Sequence, residues 1–267
     1  MTMKIFITGA TDGIGLETAK RLAPQGHHLL IHGRIAEKLA RTKISLEALN
    51  GSGPIETYQA DFSRLAHVNA MADEVLNDHS HIDVLINNAG VYKTSTPRTE
   101  DGFDLRFAVN LFAPVCLTLK LLPLMAETGR VVNLSSAAQS PISLDGLKGT
   151  APLGDMPAYA QSKLALTMWT QSMAAAHPKG PLFVAVNPGS LLNTNMVKEG
   201  WGGSDNDVGI GADILERAAL SPEFDGRSGQ YFDNDSGTFA RPHPEAQDAE
   251  KTQAVMDAIQ HVLQQRP

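Results

Sequence analysis

The chain has 267 residues, a formal net charge of −7, 42% apolar and 19% charged side chains, which supports one sizeable core in a single domain over residues 1–267. No dense Lys/Arg run is present, so nucleic acid is not an expected partner, and the single cysteine, Cys116, excludes an internal disulfide and fits a reducing, cytoplasmic setting. The run Ile5-Phe6-Ile7 is too short for a signal peptide, and the longest uncharged apolar stretch, 107–119, is shorter than the ~20 residues of a membrane-spanning helix, so no membrane partner is expected.

Short β-rich runs alternate with helical periodicity along the chain. Strands are predicted at 4–8, 28–31, 55–58, 84–87, 130–134, 182–186 and 230–232. Helices are predicted at 14–23, 36–49, 65–76, 102–125, 157–177, 211–219 and 245–265, the last with Pro244 at its start. This alternation gives an α/β fold class: a doubly wound Rossmann-type domain with a seven-stranded parallel sheet flanked by helices. Segments 140–156 and 193–208 have no strong period and are expected to be substrate loops.

The first strand runs into Thr8-Gly9-Ala10-Thr11-Asp12-Gly13-Ile14-Gly15, which opens the first helix. Glycines allow a tight turn and a close approach to a pyrophosphate, and the helix start offers free N–H groups. Gly9, Thr11, Asp12, Gly13, Ile14 and Gly15 are therefore candidate cofactor contacts. The second strand ends in Leu30-Ile31-His32-Gly33-Arg34. An acid at this place would hold the ribose hydroxyls of NAD, whereas Arg34 suits a 2′-phosphate, so NADP(H) is favoured and NAD(H) stays open. A solvated surface arginine reads the same way, and the acid Asp12 argues against a phosphate nearby. Asp61-Phe62 follows the third strand, and Asn87-Asn88-Ala89-Gly90 ends the fourth. Taken alone these read as a helix cap and a turn.

The fifth strand ends in Asn133-Leu134-Ser135-Ser136, and Tyr159-Ala160-Gln161-Ser162-Lys163 opens a long helix, with Tyr and Lys on one helix face. Hydride reduction of a carbonyl leaves an alkoxide that needs a proton. An unperturbed tyrosine, at a pKa of about 10, exchanges one too slowly near neutral pH. An ammonium and an oxidised nicotinamide nearby would favour the phenolate. The sixth strand leads into Asn187-Pro188-Gly189 and then Thr194.

These motifs, taken together, resemble the short-chain dehydrogenase/reductase family over nearly the whole chain, about residues 3–262. Ser228-Gly229-Gln230-Tyr231-Phe232-Asp233, the segment 242–246 and the 23 residues from Ser136 to Tyr159 resemble its retinol dehydrogenase-like branch. The resemblance implies an NADP(H)-dependent oxidoreductase that interconverts an alcohol and a ketone or aldehyde. It makes Tyr159 the general acid/base, Lys163 the group that lowers its pKa and binds the nicotinamide ribose, and Ser136 the donor to the substrate oxygen, with Ser135 as runner-up. It gives Asn110 a water that links Lys163 to solvent. It places Asp61 and Phe62 at the adenine, Asn88, Ala89 and Gly90 along the cofactor, and Pro188, Gly189 and Thr194 at the nicotinamide, although Thr194 stands six residues after Pro188 rather than five.

A pocket built from 140–156, 91–92 and 191–201, with Leu191, Leu192, Met196 and Trp201, points to a lipophilic small-molecule substrate. A homodimer or homotetramer is expected through Phe112, Leu117 and Leu121 on one helix and Leu166, Trp169 and Met173 on another, unless these face the sheet. A catalytically silent dinucleotide sensor or scaffold is the alternative, but it predicts loss of Tyr159 or Lys163. A sugar-nucleotide epimerase would need a longer C-terminal part. The nine histidines lack acidic or thiol partners at ligand spacing, so no metal site is expected.

Overall fold

The computed structural model describes residues 2–265, so the extreme ends of the expected domain and the side chain of Trp201, an expected pocket residue, lie outside the described part. In chain order the elements are β1 (Lys4–Ile7), α1 (Gly13–Leu22), β2 (His28–Gly33), α2 (Ala36–Glu47), β3 (Ile55–Gln59), α3 (Leu65–Asp78), β4 (Ile82–Asn87), α4 (Leu105–Phe107), α5 (Ala113–Leu121), β5 (Met125–Leu134), α6 (Leu144–Leu147), α7 (Asp155–Ala176), β6 (Leu182–Asn187), α8 (Asn195–Trp201), α9 (Gly209–Leu220), β7 (Tyr231–Asp233), β8 (Thr238–Ala240) and α10 (Ala249–Gln264).

The strands form one sheet in the order β3-β2-β1-β4-β5-β6-β7-β8. Strand order reverses between β1 and β4, and the crevice beyond the strand ends at such a switch point is where α/β sheets bind ligands. Registers Ile7↔Ile31, Ile7↔Ile86, Asn87↔Asn133 and Leu134↔Val186 bring the ends of five parallel strands to one edge. Alternate residues of each strand face opposite layers. Ile5, Ile7, Ile31, Ile86 and Val132 pack under α1, α2 and α9, while Phe6, Leu30, Leu85, Val131 and Phe183 pack under α3, α5, α7 and α10.

Among the described residues the sheet has eight strands rather than seven. β8 runs antiparallel to β7, and three residues are too few to show a period in the sequence. Phe239 anchors it with its ring 5.0 Å from that of Phe232. The predicted helix 102–125 is interrupted by a π turn at Ala108–Phe112. The stretch Leu105–Leu124 is long and apolar enough to cross a bilayer, but it is mostly buried in the core. The tail helix starts later than predicted, because Pro244 opens a 3₁₀ turn and the Asp248 carboxylate then caps the N–H groups of Glu250 and Lys251.

The residues expected to pair subunits all face inward. Phe112, Leu117, Leu121, Leu166, Trp169 and Met173 are buried in a core shared by α3, α5, α7, α10 and the sheet. Segment 140–156 is likewise drawn away from the crevice. The Glu245 carboxylate accepts from Ile142 N, the Gln161 amide oxygen accepts from Ser143 N, and Gly149 packs on Gly102.

Candidate active site

A cleft of about 600 Å³ runs along the carboxyl ends of the strands. Its walls include Gly9, Thr11, Asp12, Gly13, Ile14, Arg34, Asp61, Phe62, Asn88, Ala89, Gly90, Ser136, Tyr159, Lys163, Pro188, Gly189 and Thr194. Two residues of the expected set do not line it. Gly15 provides clearance instead: a Cβ there would sit 2.3 Å from Asn88 Nδ2 and 2.4 Å from Gly9 O. Asn110 is 1% exposed. Its Oδ1 accepts from Val91 N at 2.8 Å, and its Nδ2 donates to Val91 O and to Ser162 Oγ, both at 3.0 Å. The Asn110 side chain therefore fixes the loop after β4.

At one end the glycine turn is clamped from two sides. Asn88 Nδ2 donates to Thr8 O and Gly9 O, and the Thr8 hydroxyl accepts from the N–H groups of Asn88 and Ala89. His32, which sequence reasoning passed over, supports the other side. Its Nδ1 accepts from Gly9 N at 3.2 Å, so Nε2 carries the proton and donates to Ala60 O at 3.1 Å. The ring stacks on Phe62 with centroids 4.0 Å apart. Burial pushes the His32 pKa down to about 4, which keeps it neutral. The available signal was strand alternation, which puts His32 on the same face as the core residue Leu30. Arg34 is exposed at this end, and Lys38, one helical turn further on, also lines the cleft. The carboxylate of Asp12 faces neither: its Oδ1 accepts from Gly13 N at 2.7 Å and its Oδ2 from Asn195 Nδ2 at 2.6 Å. Asp61 caps the turn after β3, accepting from Ser63 N.

At the other end Ser136, Tyr159 and Lys163 meet. The two serines part company: Ser135 is 2% exposed with its hydroxyl bonded to Thr167 Oγ1 at 2.7 Å. Ser136 lines the cleft beside the Tyr159 phenol, near enough to favour its ionised form. Lys163 Nζ donates to Leu134 O at 2.7 Å and lies 5.8 Å from the centre of the Tyr159 ring. The sequence leads one to expect a phenol made acidic by this ammonium. Burial is the larger effect and raises the phenol; Ser136 pulls it down, and neighbouring Tyr92 pushes it up. Burial also lowers Lys163 to about 8.

At Gly90 the walls come close, since a Cβ there would lie 3.4 Å from Asn110 Oδ1, 3.6 Å from Lys163 Nζ and 3.7 Å from Met196 Cε. Thr194 caps α8, its hydroxyl accepting from Val197 N. The extra residue between Pro188 and Thr194 falls in a turn where Leu191 takes φ +52°, a left-handed conformation few side chains adopt. Val91, Tyr92, Lys93, Ala137, Ala138, Leu191, Leu192, Met196, Val197 and Glu199 also line the cleft, with nothing from 140–156.

A doubly wound sheet with a glycine turn at its switch point and a Ser–Tyr–Lys group across the same cleft defines a dinucleotide-fold oxidoreductase. The chain belongs to the short chain dehydrogenase family, which it matches over residues 3–202. It is 33% identical over 259 residues to the human protein named polyprenol dehydrogenase, covering 87% of this chain and 77% of that one. It is 31% identical over 268 residues to human retinol dehydrogenase 13, covering 92% and 80%. Among solved structures it resembles an uncharacterised protein from Mycobacterium paratuberculosis (TM-score 0.78, 28% identity, 97% of this chain and 92% of that one). It also resembles a short chain dehydrogenase from Burkholderia cenocepacia in complex with NADP (TM-score 0.69, 28% identity, 88% and 97%).

Proposed function

We propose that this protein interconverts a lipophilic ketone or aldehyde and its alcohol, using NADP(H). The observation that carries the reading is the Tyr159 phenol, with Ser136 beside it and Lys163 Nζ 5.8 Å from its ring centre, on the wall of a cleft that also takes in the glycine turn. The residues present fit a dinucleotide: Gly9 and Gly13 adopt φ +66° and +53°, and their missing Cβ atoms leave the turn open to a close approach. Arg34 and Lys38 would hold the 2′-phosphate of NADP, and Lys163 and Thr194 the nicotinamide half. When bound, the cofactor supplies or accepts the hydride.

The chain supplies the rest. Ser136 Oγ and the Tyr159 hydroxyl both donate to the carbonyl oxygen, where negative charge develops during reduction. Tyr159 then gives up its proton to the alkoxide, and the phenolate left behind is stabilised by the nearby Lys163 ammonium. The apolar walls from Val91, Tyr92, Met196 and Val197 support a lipophilic substrate, and so do the names of the polyprenol and retinol dehydrogenases among the relatives.

The test is a panel of ketones and aldehydes of increasing chain length, followed by loss of NADPH and NADH absorbance. NADPH-dependent turnover that rises with chain length is expected, and Tyr159→Phe should lower kcat by roughly 10²- to 10⁴-fold while cofactor still quenches protein fluorescence. Undiminished turnover in Tyr159→Phe would overturn the reading.

A further inference from the structure

Arg106 is fully buried, at 0% exposure, yet it does not itself line the cleft. A charged group is removed from water in this way only with a compensating arrangement of partners. Its Nη2 donates to Asp104 Oδ2 at 2.7 Å, and its Nη1 donates to Asp155 Oδ1 at 2.8 Å and, more weakly, to Tyr92 O at 3.4 Å.

Each of the latter two bonds leads to the same place. Asp155 is the first residue of α7, one helical turn before Tyr159. Tyr92 lays its ring edge-on to the Tyr159 ring, with centroids 5.4 Å apart at 74°. That ring also meets α8, since a Cβ on Gly200 would come within 2.7 Å of it.

Asn110, one turn further along, repeats the pattern, bonding Val91 in the same loop and Ser162 in the same helix. Arg106 and Asn110 therefore grip the loop after β4 and the start of α7 at two adjacent levels.

We infer that Arg106 is a positioning residue for Tyr159: its guanidinium fork sets the place of the phenol through the N-terminal turn of α7 and through the ring of Tyr92. This rests on Tyr159 being the proton donor. A planar two-pronged donor suits the task, because one lysine ammonium cannot reach Asp104, Asp155 and a carbonyl in fixed directions.

The experiment uses the full chain as Arg106→Gln and Asp155→Asn, with Tyr159→Phe as reference. Arg106→Gln should lose about 10- to 100-fold in kcat, the scale of a small displacement of a reacting group. NADPH affinity should stay within about threefold of wild type, because the glycine turn is not touched. Asp155→Asn keeps the helix start and removes the charge pair, and should lose roughly three- to tenfold in kcat. Guanidinium added to Arg106→Ala should restore part of the rate. In the alkaline ultraviolet titration, the tyrosinate step that Tyr159→Phe removes should move in Arg106→Gln.

Wild-type kcat in a folded Arg106→Gln overturns the inference, as does kcat falling only in step with cofactor affinity and melting temperature. Should Arg106→Gln not fold, wild-type kcat in Asp155→Asn overturns it. Turnover surviving in Tyr159→Phe would instead remove the proton-donor reading itself.

Discussion

The two ends of the cleft are built on different principles. At the glycine-turn end the main supports come from β1, β2, β4 or the residues just after them. Asn88 holds two carbonyls, Thr8 binds two amides, and His32 bridges Gly9 to Ala60. At the reacting end Tyr92, Arg106, Asp155, Tyr159 and Met196 come from four separate segments, joined by side chains. The first end is a rigid edge of the sheet. The second is assembled, and its geometry depends on how separately anchored pieces meet. Substitutions at the first should change cofactor binding and stability, and at the second turnover.

The harshest break of the rigid end is Gly15→Ala. The added carbon would press on Gly9 O and Asn88 Nδ2 at once, and the first is backbone that cannot swing away. Overpacking of this kind costs about 1–3 kcal/mol or more. NADPH affinity should fall by more than about tenfold with it. Urea melts and fluorescence titration check this; an unchanged variant would mean that the turn is pliable. Next in size is Arg34→Asp. Replacing a charge-assisted contact by a repulsive one should weaken NADPH binding roughly 10- to 100-fold and leave NADH binding nearly unchanged. Equal losses for both cofactors would move the phosphate away from Arg34.

The two ends should also answer differently to pH. His32 is lowered in the fold from 6.5 to about 4, so the unfolded chain takes up a proton first on acidification. Its contribution to stability is complete above about pH 6.5 and is lost as pH falls toward 4, amounting to about 2 kcal/mol at pH 5. In His32→Asn that part of the acid loss should disappear, as read by urea melts from pH 7 to 5. At the reacting end, Lys163 is lowered to about 8, and in the proposed reaction its ammonium is the form that would stabilise the phenolate. Carbonyl reduction should therefore be flat below that pH and fall about tenfold per unit above it. A rate that keeps rising to pH 10 would remove Lys163 from that role.

The rigid end was legible in the sequence because its signals are local. The glycine spacing, Asn87-Asn88-Ala89-Gly90 and Arg34 each sit at the end of a predicted strand, and strand ends converge in a parallel sheet. His32 was not legible, because its partners Gly9 and Ala60 become neighbours only when β1, β2 and β3 pair. The Tyr159–Lys163 helix face was also readable, being one helix. The choice of Ser136 over Ser135 rests on resemblance; in the structure the Ser135 hydroxyl is taken up by Thr167. Arg106 carried no signal at all, since an arginine in a helical stretch reads as surface until Asp155 comes to meet it. Segment 140–156 misled for a related reason: loose composition shows that a stretch is irregular, but not that Gln161 and Glu245 pull it off the cleft.

The smallest effect tests where the two ends touch. Asn195 Nδ2 reaches across from α8 to Asp12 Oδ2, and Gly13 faces Thr194 beside it. Sequence alone made Asp12 an argument against a phosphate nearby. Its carboxylate is instead turned to its own helix start and to Asn195, so its charge serves the join between the ends. An exposed hydrogen bond to a charged group contributes modestly, so Asn195→Ala should speed NADP release only about two- to fivefold in stopped-flow fluorescence. The hydride-transfer step in single turnover should not change, because Tyr159 and its supports are untouched. If the transfer step slowed as well, α8 would be setting the reacting geometry rather than closing over it, and the two ends of the cleft would have to be treated as one mechanical unit.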